Sequence, residues 1–352
     1  MLKLVNDWYH RHFNDPQVAI LALLLFLGAM VLYFFGDILT PLLAAVIIAY
    51  LLYGVVNKLR KLKIPRFIAI IITFSLFIIV LLIVLLILAP LLVQQATQFV
   101  LEIPNMFTEG QKILMQLPEK YPNIISEQQV AELLAGIKSQ ITDFSQTVVS
   151  FSLSSVSDLL TFMVYLVVVP LLIFFFLKDK DKILGWFNNF LPTDRKLVSQ
   201  VWYEMNGKIA GYVRGKFVEI MIVWLVTYVT FLFFGLNYAL LLSFSVGISV
   251  LIPYVGAAIV TLPVAVVAYF QWGYGSEMLY IIIAYGVIQF LDGNLLVPLL
   301  FSEMVNLHPA AIITAVLLFG GLWGIWGVFF AIPLATLIHA VINSWPRTLV
   351  DE

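Results

Sequence analysis

A carboxylate and a carboxamide interrupt an otherwise apolar stretch of the chain at Asp292-Gly293-Asn294. Gln289 lies three residues before Asp292, which places both side chains on one face of a helix, and Pro298 follows the aspartate by six residues. An ionised Asp292 could bind a cation, a protonated one could carry a proton, and Asn294 could coordinate an ion or hydrogen-bond. The pattern indicates an ion or polar-solute site. A helix cap, or a buried polar contact between two helices, is the alternative interpretation.

Two apolar stretches are too long for single membrane spans, and proline or glycine interrupts each of them. Ala239–Phe270 would form about 48 Å of helix against a hydrocarbon core of about 30 Å, and Pro309–Ile342 is of similar length. These interruptions predict two helical hairpins, which either enter the membrane and turn back or cross it fully. The further pathway candidates are Pro253, Gly256, Pro298, Gly320, Gly321 and Gly324, with His308 at the start of the second stretch as a group that could protonate or cap a helix.

Motifs of enzymes and of metal or nucleotide sites do not occur in the sequence. The chain has no cysteine, no His-Glu-x-x-His, no serine–histidine dyad and no glycine loop of the phosphate-binding type. It also has no basic tract with interleaved aromatic residues. We therefore expect no catalytic residues, no metal, no cofactor and no nucleic-acid partner.

Composition places the chain in the lipid bilayer. Hydrophobic residues make up 62% of it and charged residues 11%, whereas soluble domains carry about 25% charged residues. We predict an all-α integral membrane protein, a multi-span helical bundle with the two hairpins above. The candidate spans are Gln17–Phe35, Ile38–Val56, Phe67–Ala89, Leu159–Leu177, Ile220–Leu236 and Met278–Leu300.

The basic residues predict the orientation, because short cytoplasmic loops are rich in Lys and Arg. The loop at 57–66 is basic and holds no acid, so we place it and both chain termini in the cytoplasm, with an external turn near Gly36-Asp37. The regions that follow are a three-span part at 1–93, an external amphipathic segment at 94–155, a fourth span at 156–177, a cytoplasmic interfacial linker at 178–216 and a transport-like part at 217–345.

The last of these regions carries acids without Lys or Arg partners. Between Lys216 and Arg347 the charged side chains are Glu219, Glu277, Asp292 and Glu303, and only histidines could act as internal cations. We expect the three glutamates to lie at helix ends. Each predicted hairpin follows one span. If both hairpins return to the side on which they begin, the region is an inverted repeat, an arrangement that places a transport site near the membrane midplane.

Five motifs in this order resemble the autoinducer-2 exporter family. They are Ile252-Pro253-Tyr254-Val255-Gly256, Asp292-Gly293-Asn294 with Pro298, Leu307-His308-Pro309, Phe319-Gly320-Gly321-Leu322-Trp323-Gly324 and Ala331-Ile332-Pro333-Leu334, and Tyr212-Val213-Arg214-Gly215-Lys216 matches a further family stretch. The resemblance implies a bacterial inner-membrane protein that assembles as a homo-oligomer, with a pentamer as the expected form. It implies export of autoinducer-2 or sodium/proton antiport as family activities.

The leading hypothesis is a secondary transporter or permease for a small polar solute or cation. The sequence leaves its energy source open between an ion gradient, a partner and none. One alternative is a channel-like oligomer. The other is a membrane scaffold or regulator that moves no solute, for which the amphipathic segments on both sides of the membrane are the supporting feature.

Overall fold

Helices account for nearly all the regular structure of the part of the chain that the computed structural model describes, namely 16–116, 118, parts of 126–140, 156–189, 196–253, 255–301 and 307–344. No strand occurs among these residues. Six of their helices are long and apolar enough to cross a membrane, or seven if one bent pair counts as a single span. The prediction of an all-α, multi-span membrane protein is confirmed. Most of the predicted external segment at 94–155 beyond residue 116 lies outside the described residues, as does Glu303.

The N-terminal part begins with α1, Pro16–Lys61. Within α1, Ile20–Gly36 is a shorter apolar segment and Ile38–Lys61 is a candidate span. The two segments meet at Asp37, where the sequence predicts the external turn. Helix α2, Arg66–Ile83, continues through a π-helical turn at Val84–Leu88 into α3, Ala89–Leu114. Together they form one helical run of 49 residues, about 73 Å long, so α3 extends well beyond a bilayer core.

Helix α4, Val156–Lys178, returns to the side on which α2 begins and is followed by the short α5, Lys180–Asn188, at a bend of 80°. The guanidinium of Arg66 pairs with the Asp181 carboxylate at 2.5 Å, which places the two basic loops side by side. The helices α1, α2 and α4 enclose a common apolar cluster formed by Ala45, Ala49, Val56, Ala69, Ile70, Ile173 and Leu177.

The first predicted hairpin is formed by α7, Ala239–Ser249, and α8, Val255–Trp272. A Cβ added to Gly256 would collide with the carbonyl oxygen of Ser249, so the two arms touch beside the turn. At the other end, the Gln271 side chain donates to the Gly235 carbonyl at 2.7 Å. The chain therefore returns to the point where the hairpin starts.

The second predicted hairpin lies within α11, Pro309–Ser344. The backbone leaves helical geometry at Trp323 and Gly324, and Gly324 has a φ of 58°, a left-handed conformation that glycine adopts without strain. A Cβ on Gly327 would collide with the Phe319 carbonyl oxygen. Further along, Ala315 and Val316 pack on Ala331, so this chain segment also folds back on itself.

One long helical run precedes each hairpin. Helix α6, Lys196–Phe234, has 39 residues and leads into the first hairpin. The second hairpin follows α9, Ser276–Leu291, a π-helical turn at Asp292–Leu296, and α10, Val297–Phe301. No break occurs in α6 at residue 216, where the sequence analysis places the limit of the cytoplasmic linker.

Candidate transport site

A cavity of about 500 Å³ lies where α6, the turn of the first hairpin, the π-helical turn and the start of the second hairpin meet. Four sequence-predicted residues, Gln289, Asp292, Gly293 and Pro298, line it from one helical run. A fifth, Pro253, lines it from the first hairpin. The structure therefore brings two of the three predicted interruptions to one cavity.

A proline explains the local backbone at Asp292. Pro298 has no N–H to donate to the carbonyl four residues before it, and its ring clashes with that carbonyl in a regular α-helix. The helix accommodates this by widening into a π-helical turn, in which the Val297 N–H bonds to the Asp292 carbonyl. The same arrangement recurs where the turn at Val84–Leu88 precedes Pro90 by two residues. Single π-helical turns inside α-helices are frequent at functional sites.

The Asp292 carboxylate lacks a full set of partners. Its Oδ1 atom is buried and accepts no hydrogen bond from any described residue. A carboxylate oxygen in that position is costly unless a donor, a cation or a proton satisfies it. Asp292 is therefore suited to take up a proton or a small cation.

A buried ion pair stands beside Asp292. The Lys216 ammonium donates to the Glu219 carboxylate at 2.8 Å, and the two residues are 4% and 2% exposed. They lie one helical turn apart, near the middle of α6. Lys216, Glu219 and Asp292 line the same cavity. One ammonium and two carboxylates leave this buried cluster one positive charge short of neutrality when all three groups are ionised.

Aromatic rings line part of the cavity, and hydroxyl groups lie beside it. The Lys216 ammonium lies 5.5 Å from the centre of the Phe301 ring, and the Phe301 and Tyr212 rings contact at a tilt of 42° with their centres 5.7 Å apart. Gln289 donates to the Tyr285 hydroxyl at 2.9 Å, and Thr261 donates to the same hydroxyl at 3.2 Å. This hydrogen-bonded series extends polar groups from the cavity along α9 and α8.

Other predicted pathway residues do not line this cavity. Asn294 is exposed and donates to the Phe290 carbonyl at 2.9 Å. His308 accepts from the Ala310 N–H at 3.2 Å, as a residue that caps the start of α11. Gly256 closes the first hairpin, as described above.

The three predicted glycines of the second hairpin lie at its turn and not at the Asp292 cavity. A second cavity of about 490 Å³ is found there, lined by Gly324, Trp323 and, from α1, Tyr33 and Thr40. Gly320 packs closely against Val328, since a Cβ added to Gly320 would lie 2.8 Å from the Val328 side chain. At Gly321 an added Cβ would meet no atom within 4 Å.

Two expectations about charge are wrong. Glu219 lies in the middle of a helix and not at its end, and it has a built-in cation partner in Lys216. The sequence alone does not reveal this pair, because Lys216 is the last basic residue before a long stretch without Lys or Arg and falls within the predicted linker. The spacing of three residues between Lys216 and Glu219 was the available signal. Glu277, by contrast, does lie in the first turn of α9.

A family model described as AI-2E family transporter matches residues 20–347. The chain belongs to the AI-2E transporter family. It is 45% identical over 346 residues to "Putative permease PerM" of Escherichia coli (strain K12), with 98% of each chain covered. It is 26% identical to "Putative transport protein YueF" of Bacillus subtilis (strain 168), over 96% of this chain and 94% of that one.

The sequence motifs of this AI-2E family member predict a close similarity to PerM, and the 45% identity confirms that prediction. Matches to bacterial proteins named as permease or transport protein cover almost the whole chain. Together with the candidate spans, they identify a multi-pass membrane protein with a transport role.

Proposed function

We propose that this AI-2E family member is a secondary transporter of the bacterial inner membrane, and that the Asp292 cavity binds the transported cation or cation-coupled polar solute. The observation that carries the proposal is the unpartnered, buried Oδ1 of Asp292 beside the Lys216–Glu219 pair. A cluster that is one positive charge short of neutrality favours a proton or a small monovalent cation over an anion. Intramembrane ionisable groups of this kind mark ion and substrate pathways.

The two hairpins support an inverted-repeat transporter architecture. Helix α7 has 11 residues, about 16 Å of helix, which is too short for a hydrocarbon core of about 30 Å. The first arm of the second hairpin, 309–322, is about 21 Å long. In our proposal both hairpins are re-entrant, the two helix-plus-hairpin units have opposite orientations, and both chain termini face the cytoplasm.

The geometry at the turns agrees with this assignment. Irregular backbone is tolerated in a membrane only where protein buries it or where it lines a polar cavity. Pro253, in the turn of the first hairpin, and the π-helical turn at Asp292 line the same cavity. The family resemblance also supports sodium/proton exchange as the first activity to test.

Asp292→Asn in proteoliposomes tests the proposal. The vesicles contain a pH-sensitive dye, an imposed Na⁺ gradient drives the exchange, and solutes in the lumen are compared by mass spectrometry. We expect the variant to lose at least about tenfold in flux, which corresponds to about 1.4 kcal/mol, while it remains folded. The carboxamide keeps the shape of the side chain but cannot carry the negative charge.

Glu277→Gln is the matched control. It makes the same chemical change on the same helix, at an exposed position in the first turn of α9 that does not line the cavity. We expect its flux to equal that of the parent protein. Parental flux in Asp292→Asn would remove Asp292 from the mechanism. Absence of any flux in the parent protein, together with stable capture of another membrane protein, would favour the scaffold alternative.

A further inference from the structure

Lys216 connects two elements that belong to different parts of the candidate site. Its ammonium donates to Glu219 on α6 at 2.8 Å and to the backbone carbonyl of Val250 at 2.7 Å. Val250 follows the last residue of α7 and begins the turn of the first hairpin. A single buried side chain therefore joins the acidic groups of the cavity to the turn.

The bond to Val250 has a clear physical basis. The last carbonyls of a helix have no partner within the helix, and its C-terminal end carries a partial negative charge. No backbone N–H among the described residues outside helices bonds to the Val250 carbonyl. Lys216 satisfies that carbonyl and places a positive charge at the end of α7. The turn is thus held in place by an ammonium whose other partner is a carboxylate.

We propose that Lys216 couples the binding of a small cation to the release of this turn. The inference rests on the proposed function, because it takes the carboxylates of Glu219 and Asp292 as the cation's ligands. In the described state the ammonium is the internal cation of the acidic cluster. A small monovalent cation that binds between the two carboxylates repels the ammonium and replaces it on Glu219.

Displacement of the ammonium weakens its bond to Val250. The turn then loses the side chain that anchors it to α6, and the first hairpin can change position while the cation occupies the cavity. The return step follows the same route, since departure of the cation leaves two carboxylates that attract the ammonium again. Occupancy of the cavity by the cation and the position of the hairpin are therefore linked. A ligand shifts a conformational equilibrium only if it binds the two states with unequal affinity, and the displaced ammonium provides that difference.

The absence of cysteine from the chain permits a direct test. Spin labels are attached to cysteines introduced by Val255→Cys, at the first residue of α8 directly after the turn, and Tyr203→Cys, on α6, two side chains that are 45% and 86% exposed. Pulsed EPR measures the distance distribution between them in NaCl and in the chloride of a bulky organic cation. A control pair, Tyr203→Cys with Val229→Cys, lies wholly on α6, where Val229 is 63% exposed.

We expect Na⁺ to shift the Tyr203–Val255 distribution and to leave the control pair unchanged. Lys216→Met, which removes the ammonium and keeps a long side chain, should give the shifted distribution with or without Na⁺. Identical Tyr203–Val255 distributions in the two salts overturn the coupling. That comparison uses the parental Lys216, so it decides the question even if Lys216→Met fails to fold.

Flux measurements separate this inference from the proposed function. Flux that depends on Asp292, together with a turn that does not respond to Na⁺, refutes the coupling and leaves the transport proposal in place. Parental flux in Asp292→Asn, together with a Na⁺-dependent shift of the turn, refutes the role of Asp292 in transport and leaves the link between Na⁺ and Lys216.

Discussion

Lys216 and Glu219 are each nearly inaccessible, yet both are placed as ionised groups in contact. Removing two charges from water is expensive, and their attraction compensates only when the geometry is good and further hydrogen bonds satisfy the remaining atoms. The Val250 carbonyl supplies one such bond. The pair therefore stabilises the fold only as long as both members are present.

Lys216→Met should destabilise the protein by about 3–5 kcal/mol, because it leaves the Glu219 carboxylate buried without a cation. The double variant Lys216→Met with Glu219→Gln removes that unpaired charge and should recover most of the loss. Thermal or denaturant unfolding of the purified protein in detergent measures both effects.

An exposed pair provides the control for this cycle. Lys182 lies 3.4 Å from Asp179 with its side chain 86% exposed, so Lys182→Met should cost less than about 1 kcal/mol. A double variant as unstable as Lys216→Met alone would contradict the explanation, because the loss would then not arise from an unpaired carboxylate.

The sequence identifies Asp292 more readily than Lys216, for a physical reason. An acidic side chain in the middle of an apolar membrane span is energetically costly, so its residue type and position alone indicate a functional site. Lys216 lies next to Arg214 at the edge of that stretch, where a basic residue is expected in the headgroup region. Only the packing of α6 against the first hairpin shows that Lys216 is buried, and sequence spacing does not contain that information.

At the scale of elements, both interruptions of the long apolar stretches were predicted from proline and glycine, and the chain reverses at both. The reversal depends on glycine in a specific way, since Gly256 and Gly327 each lie against a carbonyl of the opposite arm. The absence of a Cβ at these positions lets the arms approach closely. The sequence predicts the turns because proline and glycine disfavour a continuous helix.

Gly256→Ala should destabilise the first hairpin by about 1–3 kcal/mol, because the added methyl group collides with the Ser249 carbonyl and must displace backbone. Gly286→Ala is the control, since no atom lies within 4 Å of a Cβ at that helical position and alanine favours helix. Unfolding in detergent should show a loss for the first variant and none for the second. Equal stability of both variants would mean that the arms separate readily.

Element boundaries were predicted less well than element positions, and α6 and the α2–α3 run show why. The predicted segments end at charged residues, because these mark where lipid gives way to water. A helix satisfies its own backbone hydrogen bonds and need not end at that point. Helix α3 continues to the first hairpin, where Gln95 accepts from the Leu241 N–H at 2.9 Å and the Phe99 ring makes an edge-to-face contact with Tyr238.

At the scale of the whole molecule, the two carboxylates and the ammonium that line the Asp292 cavity belong to one chain. The lining residues come from α6, both hairpins and the π-helical turn of one subunit. The pentamer implied by the family resemblance would then carry five separate pathways. A channel-like oligomer would instead have one shared pathway on its symmetry axis, to which every subunit contributes.

Mixed oligomers distinguish these two arrangements. If parental and Asp292→Asn subunits are co-expressed in equal amounts and assemble at random, separate pathways give flux in proportion to the parental fraction, or about one half of the full value. A shared pathway that needs all five subunits intact gives about 3%, the fifth power of one half. Proteoliposome flux, with the subunit ratio measured by mass spectrometry, is the readout. We expect the proportional result, since the carboxylates and ammonium of each cavity belong to one chain, and a steep loss would place the pathway between subunits.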